Sequence, residues 1–325
     1  MSFGGYRPIL LASLLLALGL SSQSGSRPQQ QAPDPNVVKV VFSPIDKNGK
    51  LISALAKGDI RVFDDGTLQT ITSFERLTDQ RVSVAVLIDN SLSQQRLAQT
   101  ATLTARGFVQ SLMRSGTDQA MVVGFSGKAT VGQELTTDKD TVLQAIDRLH
   151  FPTPASISVG AILVKGPNPE VEENTATAIW DAVWSASESL TVSSTWDSRR
   201  AILLLSDGED TFSQRSMVEA IERAQRNDVA VYAIGMGDKN FNKVRQGILK
   251  RLAEETGGRA FFPKQIVELE TIFAQLSEEL RSPYLLRYTR TNRKPSGEIQ
   301  KLKIQISGQT LGAVSLDYRR GYVSP

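Results

Sequence analysis

The chain has no cysteine, and among its 325 residues it has one histidine, His150. Without cysteine there is no disulfide framework and no lipid attachment through an N-terminal cysteine, so stability has to come from a large apolar core. With one histidine, a serine–histidine–acid hydrolase has a single candidate base, and His150 sits in a Pro/Gly-containing stretch that reads as loop. A dominant charge is also missing. Lys and Arg total 37 against 34 acidic residues, and no basic run carries interleaved aromatics, which argues against nucleic acid as a partner. Gly235-Met236-Gly237-Asp238 follows an apolar run but lacks the full glycine fingerprint of a nucleotide loop, so no nucleotide is expected.

What the chain does have is 40% hydrophobic residues, enough for a sizeable core and more than one domain. Residues 1–24 carry a lone Arg7, an apolar run from Ile9 to Leu18 and small polar residues after it. That is the layout of a secretory signal peptide, and its apolar centre is short for a membrane span. The chain is therefore expected to be exported, to the periplasm, the cell envelope or the medium, and to meet the membrane only if the leader stays uncleaved. Residues 25–36, rich in Pro and Gln, read as a flexible spacer.

Residues 37–79 contain short β-like runs, Val37 to Phe42, Ile60 to Phe63 and Leu68 to Phe74, separated by Asp46-Lys47-Asn48-Gly49 and Asp64-Asp65-Gly66 turns. From residue 80 to 281 apolar runs alternate with helical patterns. Val82 to Ile88, Ala120 to Phe125, Ala201 to Leu205 and Val229 to Ile234 are near-continuous apolar runs of the kind buried on both faces. Helices are expected over Gln94–Arg114, Lys139–Leu149, Ala176–Leu190, Ser216–Asn227, Val244–Thr256 and Ile266–Leu280. This alternation predicts an α/β fold, a doubly wound and mostly parallel sheet with helices on both faces. Residues 282–325 return to strands, at Tyr284–Tyr288, Ile299–Ile306 and Ala313–Tyr318, and the two terminal β segments can pack as one module. Between His150 and Asn174 lies a long loop, of a kind more often functional than accidental.

Ligands of open α/β sheets bind at the carboxyl ends of the strands, where successive connections diverge. Two apolar runs end there on a carboxylate. The first closes as Ile88-Asp89-Asn90-Ser91-Leu92-Ser93, with oxygen side chains on alternate residues, which in an extended backbone point the same way. The second closes as Leu205-Ser206-Asp207-Gly208-Glu209-Asp210. A third stretch, Thr175-Ala176-Thr177-Ala178-Ile179-Trp180-Asp181-Ala182, brings hydroxyls to the start of a helix. Each element has a plainer reading: Asp89 and Asp207 as turn or capping residues, Ser91 and Ser93 as caps, Asp181 as a salt-bridging residue, Glu209 and Asp210 as decoration of the loop rim. Trp180, Trp184 and Trp196 read as packing residues, and Gly257-Gly258 as a helix stop. Taken together, the three stretches offer an all-oxygen set suited to a hard divalent cation.

These three motifs, in this order, resemble the von Willebrand factor type A domain with its metal-ion-dependent adhesion site. The resemblance implies a metal held by Asp89, Ser91, Ser93, Thr177 and Asp207, with Thr175 the alternative to Thr177. The flanks, Gly58-Asp59-Ile60-Arg61-Val62-Phe63-Asp64-Asp65-Gly66 and Tyr284-Leu285-Leu286-Arg287-Tyr288 with Arg319-Arg320-Gly321-Tyr322, resemble secreted bacterial VWFA-related proteins of acidobacterial type. Many such sequences read D-x-S-G-S-M; here Leu92 replaces the glycine and Gln94 the methionine, and Asn174-Thr175 stands where a Gly-Gly is common. The resemblance implies a non-enzymatic binding module that uses Mg²⁺, with Mn²⁺ or Ca²⁺ able to substitute, to hold an Asp or Glu of a protein partner. The alternative is an assembly protein of the envelope in which the metal only stiffens loops.

Overall fold

The computed structural model describes residues 36–152, 176–195, 197–237, 243–292, 294–307 and 314–324. The expected leader, all of the expected spacer except Asn36, residues 153–174 of the expected loop, Thr175, Trp196 and Asp238 lie outside them.

The N-terminal part forms strands β1 (Val37–Ile45), β2 (Ile60–Asp64), β3 (Thr67–Gln69) and β4 (Ile71–Arg76). Asp65 and Gly66 both take positive φ, 45° and 82°, which makes the tight reversal between β2 and β3. The central part follows with β5 (Val82–Asp89), helix α1 (Ala98–Leu112), β6 (Gln119–Phe125), β7 (Ala129–Thr136) and α2 (Lys139–Asp147). Then come α3 (Ile179–Ser193), β8 (Arg199–Ser206), α4 (Met217–Arg226), β9 (Val229–Gly235), α5 (Gln246–Thr256), β10 (Ala260–Phe261) and α6 (Glu268–Arg281). Four strands close the chain: β11 (Tyr284–Thr289), β12 (Ile299–Ile306), β13 (Ser315–Tyr318) and β14 (Gly321–Val323).

The central strands make a six-stranded sheet in the order β10-β9-β8-β5-β6-β7, parallel except for β7. Every residue of β5 is buried. Its alternation divides the core: Val84, Val86 and Ile88 face α1, α2 and α6, while Ala85 and Leu87 face α3, α4 and α5. The doubly wound arrangement follows from strands apolar on both faces, which a helical layer has to cover on each side. The chain leaves β5 toward β6 and returns to the opposite neighbour, β8, so the connections diverge between β5 and β8.

The terminal β segments form one module. Its two four-stranded sheets are β13-β1-β11-β4 and β14-β12-β2-β3, each mixing strands from both ends of the chain. The central strand β11 pairs with β1 on one side and β4 on the other, from Val37↔Thr289 to Tyr284↔Arg76. Phe42, Val62, Leu286, Tyr288, Leu302 and Ile304 share its core. Inside it the carboxylate Oδ2 of Asp64 accepts from the hydroxyls of Tyr288 (2.8 Å) and Tyr322 (2.7 Å), so a fully buried acid is met by donors rather than stranded. The two connectors run together: Leu77 N donates to Pro283 O and Gln80 N to Arg281 O. Arg281 and Arg114 both donate to Asp118. Burial raises the Asp118 carboxyl, but the hydrogen bonds from these two guanidinium groups outweigh it and hold it at about 2.

Three sequence expectations are corrected. The first helix does not start as α at Gln94: Leu92–Leu97 is a 3-10 turn, and α geometry runs from Ala98 to Leu112. The helix expected from Ala176 starts at Ile179, because the backbone of Thr177 is bonded across to Thr211 and Phe212 instead of along a helix. Strand β7 was not expected; it is an edge strand with no buried residue, so it carries no apolar period to read. The stop at Gly257 is as expected, with φ of 91°.

Leu286 is fully buried between strands from the other end of the chain. Leu286→Ala should cost about 2–5 kcal/mol in urea unfolding of this module. Because the sheets are shared, hydrogen exchange should rise in residues 37–45 and 71–76 as well as around position 286. Faster exchange confined to the C-terminal strands would contradict the shared core.

Candidate metal centre

Asp89 is the last residue of β5, and Asp207 follows the last residue of its neighbour β8, so adjacent parallel strands deliver two carboxylates to the same edge of the sheet. Both are buried, Asp89 at 2% exposure and Asp207 at 4%. Asp89 Oδ1 accepts from Ser91 N (3.1 Å) and Ser91 Oγ (2.7 Å), and Oδ2 accepts from Ser206 Oγ (2.9 Å). Ser91 and Ser93 hydroxyl oxygens lie 2.9 Å apart. Asp207 Oδ1 accepts from Glu209 N (3.0 Å) and Oδ2 from Gln94 Nε2 (2.9 Å). Gly208, at φ 82°, turns the chain here, and a Cβ on it would lie 2.9 Å from Leu249.

The plainer readings hold in part. Each carboxylate does brace its own turn by accepting from the backbone two residues on, the local bond that favours Asp after strands. Ser91 is different. Its backbone occupies the cap position of the 3-10 turn, yet its hydroxyl makes no cap bond and is given to Asp89 instead. Asp181 is a salt-bridging residue, 3.1 Å from Arg215. Trp180 packs in the core, whereas Trp184 lies under the guanidinium groups of Arg215 (4.1 Å) and Arg223 (4.5 Å). His150 is exposed, and its backbone carbonyl accepts from Asn90 Nδ2 (2.8 Å).

Thr177 belongs to the same loop cluster. It is buried, its N donates to Thr211 Oγ1 (3.0 Å), and its carbonyl accepts from the N–H groups of Thr211 and Phe212, in the loop that starts at Asp207. The next residue, Ala178, donates to Ser126 O, just past β6, while Asn90 N donates to Phe125 O. The loops after β5, β6 and β8 are thereby tied to the start of α3. Asp210 is not rim decoration: its Oδ1 accepts from Ile179 N (2.7 Å) and Ser213 Oγ (2.6 Å) and so caps α3 from a distant loop. Sequence reasoning missed this and the role of Gln94, since both bonds join residues far apart in the chain; the one signal was an Asp three residues beyond the Asp207 motif.

Electrostatically the centre is under tension. Burial pushes the Asp89 carboxyl up to about 7, against the pull of the Ser91 hydroxyl and with a further push from the charge of Asp207. Burial also raises Asp207, opposed by Glu209 N–H and Gln94. Two buried acids that resist ionisation side by side, ringed by neutral hydroxyls and offering only oxygen, fit a hard divalent cation.

The sign of the pH effect follows. The folded chain keeps the Asp89 proton over a range where the unfolded chain releases it, so this stabilisation is complete below about pH 4 and is lost as pH rises through about 7. In chelator, wild type should lose on the order of 4 kcal/mol relative to Asp89→Asn across that interval, read from urea unfolding at each pH. A wild-type-minus-variant difference that stays flat from pH 4 to pH 7 would exclude the buried, proton-holding state.

A search of curated proteins returns no match. Among solved structures the chain is similar to the von Willebrand factor type A protein from Catenulispora acidiphila, with 12% identity, 79% of this chain and 75% of that one covered, and a TM-score of 0.48. It is also similar to the manganese-loaded TRAP protein of Plasmodium vivax, at 14% identity, 77% and 97% coverage and a TM-score of 0.46. BatB from Bacteroides thetaiotaomicron is similar at 19% identity, 61% and 98% coverage and a TM-score of 0.44. Residues 167–275 match the family described as the von Willebrand factor type A domain, a span that takes in Thr177 and Asp207 and runs from α3 into α6. Residues 167–275 of this chain are thus similar to a von Willebrand factor type A domain, set on a mostly parallel sheet between two helical layers.

Proposed function

We propose that this protein is a non-enzymatic, divalent-cation-dependent binding module that acts outside the cytoplasm. The observation that carries the reading is the convergence of Asp89, Ser91, Ser93 and Asp207 at the switch point between β5 and β8. Thr177, on the adjoining loop, completes the proposed ligand set. The cation would be Mg²⁺, with Mn²⁺ or Ca²⁺ as substitutes, and when bound it supplies an electrophilic coordination position for an Asp or Glu of a protein partner.

The chain's own residues set that property. Serine and threonine hydroxyls are neutral, so they bind the ion without cancelling its charge. A hydroxyl can also keep its proton on a carboxylate while offering a lone pair elsewhere, and Ser91 is already arranged that way toward Asp89. Phe212, 45% exposed on the loop bonded to Thr177, places an apolar contact beside the centre. The leader-like N-terminal sequence supports export, to the periplasm, the envelope or the medium.

Mg²⁺ or Mn²⁺ titrated into the purified chain should give saturable heat that is lost in Asp89→Ala. Proteins captured on the immobilised chain from the producing cell's envelope fraction should elute with EDTA and fail to bind Asp89→Ala. Capture that survives both, with only the melting temperature lowered by EDTA, would replace this reading with one in which the ion merely stiffens the loops.

A further inference from the structure

Gln94 is buried, at 1% exposure, one residue beyond the last serine of the first loop. A side chain so deeply buried need carry no polar group at all. Its amide Nε2 instead donates to Asp207 Oδ2 at 2.9 Å, a bond spanning 113 positions of chain. This bond has a counterpart. Ser206, immediately before Asp207, donates its hydroxyl to Asp89 Oδ2 at 2.9 Å and is held by Gly208 N at 3.1 Å. Each loop thus braces the other's carboxylate: the β8 loop holds Asp89 through Ser206, and the β5 loop holds Asp207 through Gln94.

We propose that Gln94 is a positioning residue of the metal centre, fixing the Asp207 carboxylate where it can share one cation with Asp89, Ser91 and Ser93. The inference rests on the cation-binding reading of the preceding subsection. Three physical points carry it. First, Asp207 has one further hydrogen-bond donor described on its carboxylate, the backbone N–H of Glu209 on Oδ1; without Gln94, Oδ2 would lose its anchor and the side chain would be freer to turn. Second, a carboxylate oxygen has two acceptor sites, so Oδ2 can keep the amide bond and still face an ion. Third, the amide is neutral. It satisfies a buried acid without supplying the positive charge that would displace a cation, which a lysine in its place would do. Donors behind ligating groups typically tune metal affinity by one to two orders of magnitude.

The test uses the full chain and Mn²⁺ as the probe, with free ion counted by electron paramagnetic resonance and folding followed by circular dichroism and melting in EDTA. Gln94→Met, close in volume but without a donor, should fold and bind Mn²⁺ about 10–100-fold more weakly than wild type. Gln94→Lys keeps a donor on Asp207 while adding charge; it should melt higher than wild type in EDTA and lose Mn²⁺ binding. A purely structural role would move the melting temperature of Gln94→Met and leave its Mn²⁺ affinity unchanged, and that result overturns the inference while the cation reading stands. Should Gln94→Met fail to fold, Gln94→Asn, whose amide is one methylene shorter and cannot hold the same bond, takes its place, and wild-type Mn²⁺ affinity in a folded Gln94→Asn overturns the inference equally. Wild type that takes up no Mn²⁺ overturns the cation reading and this inference with it.

Discussion

Two like-charged carboxylates, Asp89 and Asp207, are held out of water at the ends of neighbouring parallel strands, and much of the surrounding structure answers to that. An isolated buried acid either finds donors or takes up a proton. Here Ser91, Ser206, Gln94 and the Glu209 backbone each donate to one acid or the other. These donors lower the cost of the charges without removing it, since Asp89 still sits at about 7. Positive charge placed between the two acids would offset that remaining cost, within a rigid, mostly neutral frame.

The rigidity comes from the sheet. β5 and β8 run in register through buried pairs, from Val84↔Ala201 to Ile88↔Leu205, and each is packed by helices on both faces. A close-packed core resists small displacements, so the two loops that leave these strands start from fixed points. Loop-to-loop bonds do the rest: Thr177 to Thr211 and Phe212, Asp210 to the start of α3, Ala178 to Ser126. The β module at the other side of the chain is joined through the paired connectors and the Arg281–Asp118 contact. Glu279 of α6 adds to this junction, accepting from Tyr232 of β9 and from Arg259, which in turn lies 3.1 Å from Asp317 of β13.

Much of the architecture was legible because burial on both faces writes itself into composition. Val82–Ile88, Ala201–Leu205 and Val229–Ile234 are apolar almost throughout, and helical periods stand between them. Where burial is weak the signal fades. β7 has no buried residue and left no pattern, and the two-residue β10 is too short to have one. Helix starts were misplaced by four residues at Ala98 and three at Ile179, in both cases because side chains or backbone nearby are committed to another loop. The candidate site was legible as motifs, since its residues cluster in short local runs. Its bracing was not, because Gln94 and Asp210 act on partners that are remote in sequence.

By itself the sequence determined the class of fold, the oxygen chemistry at the ends of two strands and the presence of β segments on both sides of the α/β part. These follow from local composition and period, which the chain carries regardless of how it closes. Only the tertiary structure decided that β1, β4 and β2 find their neighbours in β11 and β12, making one module from opposite ends. It alone made Ser91 a donor to Asp89 rather than a helix cap, and made Gln94 the partner of Asp207. Pairing and hydrogen bonding between distant residues depend on which surfaces meet when the core forms, and no local pattern encodes that meeting.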